Sequence, residues 1–189
     1  NSTDIILLTD FDIQENESKY QEIHNIIKIN DWKEIEIIDK NFLINKLNSI
    51  FNINKSDIKI LIVEDNENNR LIIKELLNDL GWKNHNMAIN GIDALEKIKK
   101  YHYDIILMDI NMPIMDGKKT ILEIHRLYKS MNLYNLYKSL PYLVALTAND
   151  LYHDFYKKYT DDVLIKPIIN INQLEIILQK FIINYLKKI

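Results

Sequence analysis

Short, β-branched, nearly all-apolar runs recur from Ile58 onward, each followed by an amphipathic stretch, and this alternation constrains the fold more than anything else in the chain. Ile58 to Val63 (IKILIV), Asp104 to Met108 (DIILM) and Tyr142 to Leu146 (YLVAL) are such runs; Val163 to Ile165 is shorter and Asn86 to Ile89 weaker. Runs of this length suit strands of a parallel sheet, buried on both faces. Between them, apolar residues fall at helical spacing. The first expected helix covers about Glu67 to Leu80, with Ile73, Leu76, Leu77 and Leu80 on one stripe and Gly81 as its stop. A second covers Gly91 to Lys100, with Leu95 and Ile98 inward, and a third starts near Gly117 and carries Ile121, Ile124 and Tyr128. A fourth spans about Asp150 to Lys158, and the last runs from about Asn172 to Lys187 with Leu174, Ile177, Leu178, Phe181, Ile182 and Tyr185 at helical spacing.

Five β-α repeats in succession imply an α/β fold: a doubly wound parallel sheet with helices on both faces. Ligands of such sheets bind at the carboxyl ends of the strands, near the switch point. Residues 1–51 read as a shorter βαβα piece: Ile5 to Leu8 as strand, Tyr20 to Ile27 as helix, Ile35 to Ile38 as strand and Asn41 to Phe51 as helix. Asn52 to Asp57 (NINKSD) reads as a polar linker, which leaves 58–189 as the main domain. A βαβα piece cannot cover both faces of its own sheet, so the front segment is expected to be a truncated domain or a cap.

Composition removes several function classes. The 189 residues suit one domain plus a remnant, or two small domains; 47% are hydrophobic, enough for a packed core, and 27% are charged with a net charge of −3. Lysines are spread out and offset by acids, so no basic face for nucleic acid is expected. The absence of cysteine excludes disulfides and thiolate metal sites. No apolar run approaches the roughly 18–20 residues a membrane span needs, and no signal peptide is visible. Because the chain begins with Asn1 and not Met, it reads as a piece of a longer protein. With three glycines and no Gly-rich phosphate loop, nucleotide or flavin binding is not expected.

The chemistry concentrates at strand ends. Strand one runs into Glu64 and Asp65, strand three ends in Asp109, Thr147 follows strand four, and Lys166 with Pro167 follows strand five. In a sheet of order 2-1-3-4-5, strands one and three are neighbours, so their acids meet. Two like charges about 4 Å apart repel by roughly 4 kcal/mol at an effective dielectric near 20, so either a pKa rises or a divalent cation binds. Oxygen ligands with open positions suit Mg²⁺. Taken alone, the Glu-Asp pair reads better as a solvated loop, with Asp65 or Asn66 capping the first helix. A lone Lys-Pro or strand-end Thr reads as a turn or cap. Acids, hydroxyl and ammonium at the ends of four strands, in this order, weigh against coincidence.

Four stretches carry a family resemblance: Ile60 to Asn66 (ILIVEDN), Ile105 to Gly117 (IILMDINMPIMDG), Ala145 to Asn149 (ALTAN) and Asp161 to Pro167 (DDVLIKP). Together they resemble the response-regulator receiver domain of two-component signalling, most of all the C-terminal receivers of hybrid histidine kinases. The resemblance covers about residues 57–187. It implies a flavodoxin-like (βα)5 receiver with Asp109 as phosphoacceptor in a His-Asp phosphorelay. Glu64, Asp65, Asp109 and the backbone carbonyl of Asn111 would hold Mg²⁺. Thr147 and Lys166 would each engage a phosphoryl oxygen. The implied partner is a histidine kinase or a histidine phosphotransfer protein; a homodimer stays open. The implied setting is cytoplasmic, with a parent protein that can be membrane-anchored. The expected readout surface is the fourth helix and fifth strand.

Three features depart from the family pattern. Val163 stands three residues before the lysine, where the family often has Tyr or Phe; Tyr159-Thr160 stands where Gly-Ala is common; Ser130 to Leu140 is longer than in compact receivers. The front segment echoes the family faintly: Ile5 to Thr9 resembles a fourth strand with its Thr, and Ile37 to Phe42 a fifth strand with its Lys, with Asn41 in place of Pro. It therefore reads either as the tail of a degenerate receiver or as an unrelated linker. None of the five histidines lies in a segment resembling a phosphodonor box. Two other functions remain open: a receiver-like interaction module that is not phosphorylated, and a metal-dependent phosphohydrolase. The latter would carry a second acid two residues after its nucleophile, where this chain has Asn111.

Overall fold

A computed structural model describes residues 5–8, 26–29, 54–130, 139–148, 153–168 and 171–186. Two compact units are distinguished, one of residues 1–54 with 182–189 and one of 55–181. In the first, β1 (Ile5–Leu8) and β2 (Ile26–Ile29) form a parallel pair, with Ile5 opposite Ile26. β1 matches the sequence expectation. The helix expected over Tyr20 to Ile27 is overruled at its end, because Ile26 and Ile27 belong to β2. The run Ile-Ile-Lys-Ile is β-branched and short, which suits a pleated surface better than a helix end. The strand expected at Ile35 to Ile38, the helix at Asn41 to Phe51 and the lysine-bearing strand at Ile37 to Phe42 lie outside the described residues.

The second unit holds β3 (Ile60–Val63), β4 (His85–Ala88), β5 (Ile105–Asp109), β6 (Tyr142–Thr147) and β7 (Asp162–Ile165). All pairings are parallel and the order is β4-β3-β5-β6-β7, which is the expected 2-1-3-4-5. The helices are α1 (Glu67–Asp79), α2 (Gly91–Lys100), α3 (Gly117–Ser130), α4 (His153–Tyr159) and α5 (Ile171–Leu186). Elements fall within a few residues of the sequence reading.

The three central strands are buried throughout. Side chains of a strand alternate between faces. Leu61, Val63, Ile106, Met108, Leu143 and Ala145 therefore share one face, where Ala94 and Ile98 of α2, Ile121, Ile124 and Tyr128 of α3 and Tyr156 of α4 join them in one apolar cluster. The alternate residues Ile60, Ile62, Ile105, Leu107, Val144 and Leu146 are equally buried, as are Ile73 and Leu77 of α1 and Leu174, Ile177 and Leu178 of α5. The ring of Phe181 stands edge-on to Trp82 (6.2 Å) and to Tyr142 (5.7 Å).

Helix ends follow local chemistry. The Asn66 side chain accepts from the Asn69 backbone N–H at 3.1 Å and caps α1; Asn90 does the same for α2 through Asp93. The cap of α1 is thus Asn66, which leaves the Asp65 carboxylate out of that role. Gly81, at φ +86°, ends α1, and Gly81 N–H and Trp82 N–H return to the carbonyls of Asn78 and Leu77. Gly117 is required for a different reason: a Cβ there would lie 2.1 Å from the Asp109 carbonyl oxygen and 2.8 Å from Ile110 Cα.

These two glycines give contrasting expectations. Gly81→Ala meets only an ordinary van der Waals contact with the Lys55 side chain but a left-handed backbone, and should cost about 1 kcal/mol. Gly117→Ala must push the backbone at Asp109 and should cost about 2–3 kcal/mol. Urea midpoints at constant m-value measure both; equal losses would show that helix α3 does not pack on the strand end this tightly.

Candidate functional site

The carboxyl rim of the sheet gathers every side chain that the sequence singled out. Glu64 follows β3, Asp109 ends β5, Thr147 ends β6 and Lys166 follows β7. Three of these polar groups are almost fully buried: Glu64 is 1% exposed, Asp109 2% and Thr147 3%. Asp65 and Asn111 are exposed beside them. Buried carboxylates are costly unless paired and hydrogen-bonded, and here the pairing is explicit. Lys166 Nζ lies 2.5 Å from Glu64 Oε2 and 2.8 Å from Asp109 Oδ2, bridging strand ends that are far apart in sequence.

The remaining carboxylate oxygens also have donors. Glu64 Oε1 accepts from Asn69 Nδ2 at 3.1 Å and from the Asn66 backbone N–H at 3.4 Å. Asp109 Oδ1 accepts from the Asn111 backbone N–H at 3.1 Å. Arg70, one turn into α1, donates from Nη1 to the carbonyls of Glu64 and Asp65, at 2.7 Å each, and fixes the backbone on which both acids sit. Lys166 N–H donates to the Thr147 carbonyl at 2.7 Å, the last rung between β6 and β7. The Lys166-Pro167 peptide is cis. On its other side Thr147 meets α4, where Tyr156 Oη donates to Thr147 Oγ1 at 3.4 Å.

The two buried acids are held differently. For Glu64, burial pushes the carboxyl up, but hydrogen bonds from Lys166 and Asn69 and the nearby ammonium outweigh it, and the group sits below its ordinary range. For Asp109, burial again pushes up; the bonds from Lys166 and Asn111 offset it only in part, the Glu64 charge adds to it, and the group sits above its ordinary range. Burial pulls Lys166 down, and its two carboxylates more than compensate, leaving it raised and charged. One ammonium faces the carboxylates of Glu64, Asp65 and Asp109, whose oxygens lie within 4.8 Å of one another, so the cluster keeps an excess of negative charge. An octahedral Mg²⁺ with bonds of about 2.1 Å spaces its oxygen ligands roughly 3–4 Å apart. The donor set, all oxygen and acidic, fits such an ion.

The loop from Ile110 to Asp116 closes over this rim. Ile110 N–H donates to the Leu146 carbonyl and Gly117 N–H returns to Ile110 O, both at 3.0 Å. Within it Ile114 takes φ 70° and is 78% exposed, an unusual state for a β-branched residue. A cleft of about 280 Å³ opens beside Glu64 and Lys166, lined by Ile72, Ile73, Pro167 and Ile168. Sequence reasoning did not single out Arg70, Asn69 or Tyr156. Asn69 was detectable, since it lies five residues after Glu64 on the first turn of a helix that starts there.

Comparison with known proteins agrees with this geometry. Residues 60–179 match the family model of the response regulator receiver domain. Hybrid signal transduction histidine kinase B of Dictyostelium discoideum is 44% identical over 120 residues, which is 58% of this chain but 6% of that protein. The chain thus spans a small part of the full length of that relative. Among solved structures, the receiver domain of a sensor histidine kinase of Pseudomonas aeruginosa, crystallised with magnesium coordinated in its active-site cleft, is 33% identical with a TM-score of 0.55, covering 66% of this chain and 97% of that one. A co-crystal of the Saccharomyces cerevisiae histidine phosphotransfer protein Ypd1 with the receiver domain of the response regulator Ssk1 matches at 28% identity and a TM-score of 0.55, covering 62% of this chain and 83% of that one. With more than half its length inside the family model, the chain belongs to the response regulator receiver domain family.

Proposed function

We propose that Asp109 accepts a phosphoryl group from a phosphohistidine of a histidine kinase or a histidine phosphotransfer protein. The observation that carries this reading is the contact of Lys166 with the buried, electron-rich Asp109 carboxylate in a cluster that retains negative charge. An Asp109 oxygen attacks phosphorus, the P–N bond to the donor imidazole breaks, and its electron pair leaves with that nitrogen, which takes up a proton. The product is an acyl phosphate, later cleaved by water. Lys166 is placed to neutralise one phosphoryl oxygen and the Thr147 hydroxyl to donate to another. Such reactions depend mainly on positioning and charge neutralisation.

The residues that would hold Mg²⁺ are Glu64, Asp65, Asp109 and the Asn111 carbonyl, with Glu64 and Asp65 engaging the ion directly or through water. When bound, the ion neutralises charge developing on the phosphoryl oxygens. The apolar cleft lined by Ile72, Pro167 and Ile168 lies beside the acceptor, and Ile72 is 49% exposed, which suits docking of an apolar helix face around the donor histidine. Ypd1 crystallised with a receiver domain supports this class of partner. We further infer a receiver over 58–189, a linker over 52–57 and a degenerate receiver tail over 1–51, as a cytoplasmic part of a hybrid kinase. Among the described residues no helix is long and apolar enough to cross a membrane.

Incubation with acetyl phosphate and Mg²⁺ should add one phosphoryl group to the wild-type chain and none to Asp109→Asn, read by intact mass. No adduct under conditions that label other receivers would favour the interaction module, and rapid turnover of a phosphoester would favour the hydrolase.

Mg²⁺ at ten times its Kd should stabilise the chain by about 1.4 kcal/mol, raising Tm by roughly 3–6 °C. Its binding needs Asp109 ionised. Since the Asp109 carboxyl is raised by burial, it takes up a proton at higher pH than an ordinary aspartate. The increment in Tm at fixed Mg²⁺ should therefore begin to shrink, as pH falls, above the range where an ordinary aspartate protonates, while Glu64, held low, contributes no such early loss. Scanning calorimetry across that range decides; a constant increment is the contrary result.

A further inference from the structure

Resting on the phosphoacceptor reading of Asp109, we propose that Tyr156 is a positioning residue for Thr147. Its hydroxyl holds Thr147 while Asp109 is unmodified, and loss of that contact on phosphorylation carries the change into α4.

Two buried hydroxyls meet at this point. Tyr156 is 2% exposed and Thr147 3%, and Tyr156 Oη donates to Thr147 Oγ1 at 3.4 Å. That length is at the limit for an O–H···O bond, whose usual length is about 2.7–2.8 Å. A small displacement of Oγ1 away from α4 ends it. Thr147 Oγ1 accepts from Tyr156 and keeps its own proton for another acceptor, so it is displacement of Oγ1, not donation alone, that would break the contact. A phosphoryl group on Asp109 brings strong acceptor oxygens to the same rim and draws that proton and its oxygen toward the strand ends. Tyr156 Oη would then lose its acceptor inside the core, a destabilising state for a buried donor. The ring or the helix must move to relieve it.

The face on which this happens is the one that the family's usual aromatic would occupy. Val163 pairs with Ala145 on β6 and packs against the same apolar cluster as Tyr156. Val163 has neither ring nor hydroxyl, so on this face α4 supplies the aromatic hydroxyl that β7 lacks. The connection onward is also present. The Tyr156 carbonyl accepts from Thr160 N–H and Thr160 Oγ1, both at 2.8 Å. Its neighbour Phe155 stacks on Tyr159 at 5.1 Å, and Tyr159 stands 5.6 Å from His125 of α3, whose Nε2 lies 2.9 Å from the Tyr159 carbonyl oxygen. A shift of Tyr156 is thereby shared between α4 and α3.

The test is hydrogen–deuterium exchange on the whole chain with Mg²⁺ alone and with Mg²⁺ plus beryllofluoride, a phosphoryl mimic. Bound fluoride is read separately by ¹⁹F NMR. In the wild type, fluoride should change exchange in α4 by about threefold or more, and in Tyr156→Phe the change should fall below about 1.5-fold with fluoride still bound. An α4 response in Tyr156→Phe as large as in the wild type overturns the assignment of Tyr156 alone. Absence of bound fluoride in the wild type overturns the phosphoacceptor reading and this one with it. Should Tyr156→Phe fail to fold, the ζ-carbon resonance of Tyr156 in ¹³C-labelled wild type takes its place: a shift on fluoride binding is expected, and none overturns the proposal.

Discussion

Everything at this rim depends on one ammonium placed between two buried carboxylates. Lys166 reaches Glu64 and Asp109 from a strand at the far side of the sheet, so a single side chain ties the carboxyl ends of β3, β5 and β7 together. Without it, two like charges would face each other out of contact with water, at a cost of several kcal/mol. With it, the charges are only partly balanced. Burial, helped by the Glu64 charge, holds the Asp109 carboxyl above its ordinary range, while the bonds from Lys166 and Asn69 hold that of Glu64 below. The two acids therefore divide the work: Glu64 anchors the lysine, and Asp109 keeps an unmet demand for positive charge.

Most of this could be read from the residues. The strands announce themselves because they are buried on both faces, which leaves Ile60 to Val63 and Tyr142 to Leu146 almost without polar residues. The helices do so through stripes such as Ile121, Ile124 and Tyr128, all buried as their spacing implies. Strand ends then follow, and with them the acids, Thr147 and Lys166. What could not be read depends on contacts between segments distant in sequence or on choices between equivalent neighbours. Asp65 and Asn66 are both good caps, and only the fold shows that Asn66 takes the role. Arg70 serves backbone carbonyls, a use that leaves no pattern in the sequence. In the front segment, the β-branched run at Ile26–Ile29 and the helical spacing before it compete over the same residues, and the strand prevails.

The departures from the family pattern take on physical meaning beside this rim. Val163 removes an aromatic from β7, yet the apolar cluster on that face still contains a buried tyrosine, delivered by α4. Tyr159, standing where small residues are usual, packs on Phe155 and His125 and joins α4 to α3 through rings. The surface around the acceptor is apolar as well as acidic: Ile72, Ile114 and Pro167 are exposed beside it. A partner meeting this surface gains from burying apolar area before any charge interaction is counted.

The short bond from Lys166 N–H to the Thr147 carbonyl has a mechanical consequence. It is the last rung of a ladder, and it fastens the backbone of the hydroxyl-bearing residue to that of the cation-bearing one. Main-chain travel at Thr147 is thus checked on the β7 side, which leaves its side chain as the freer part of the residue.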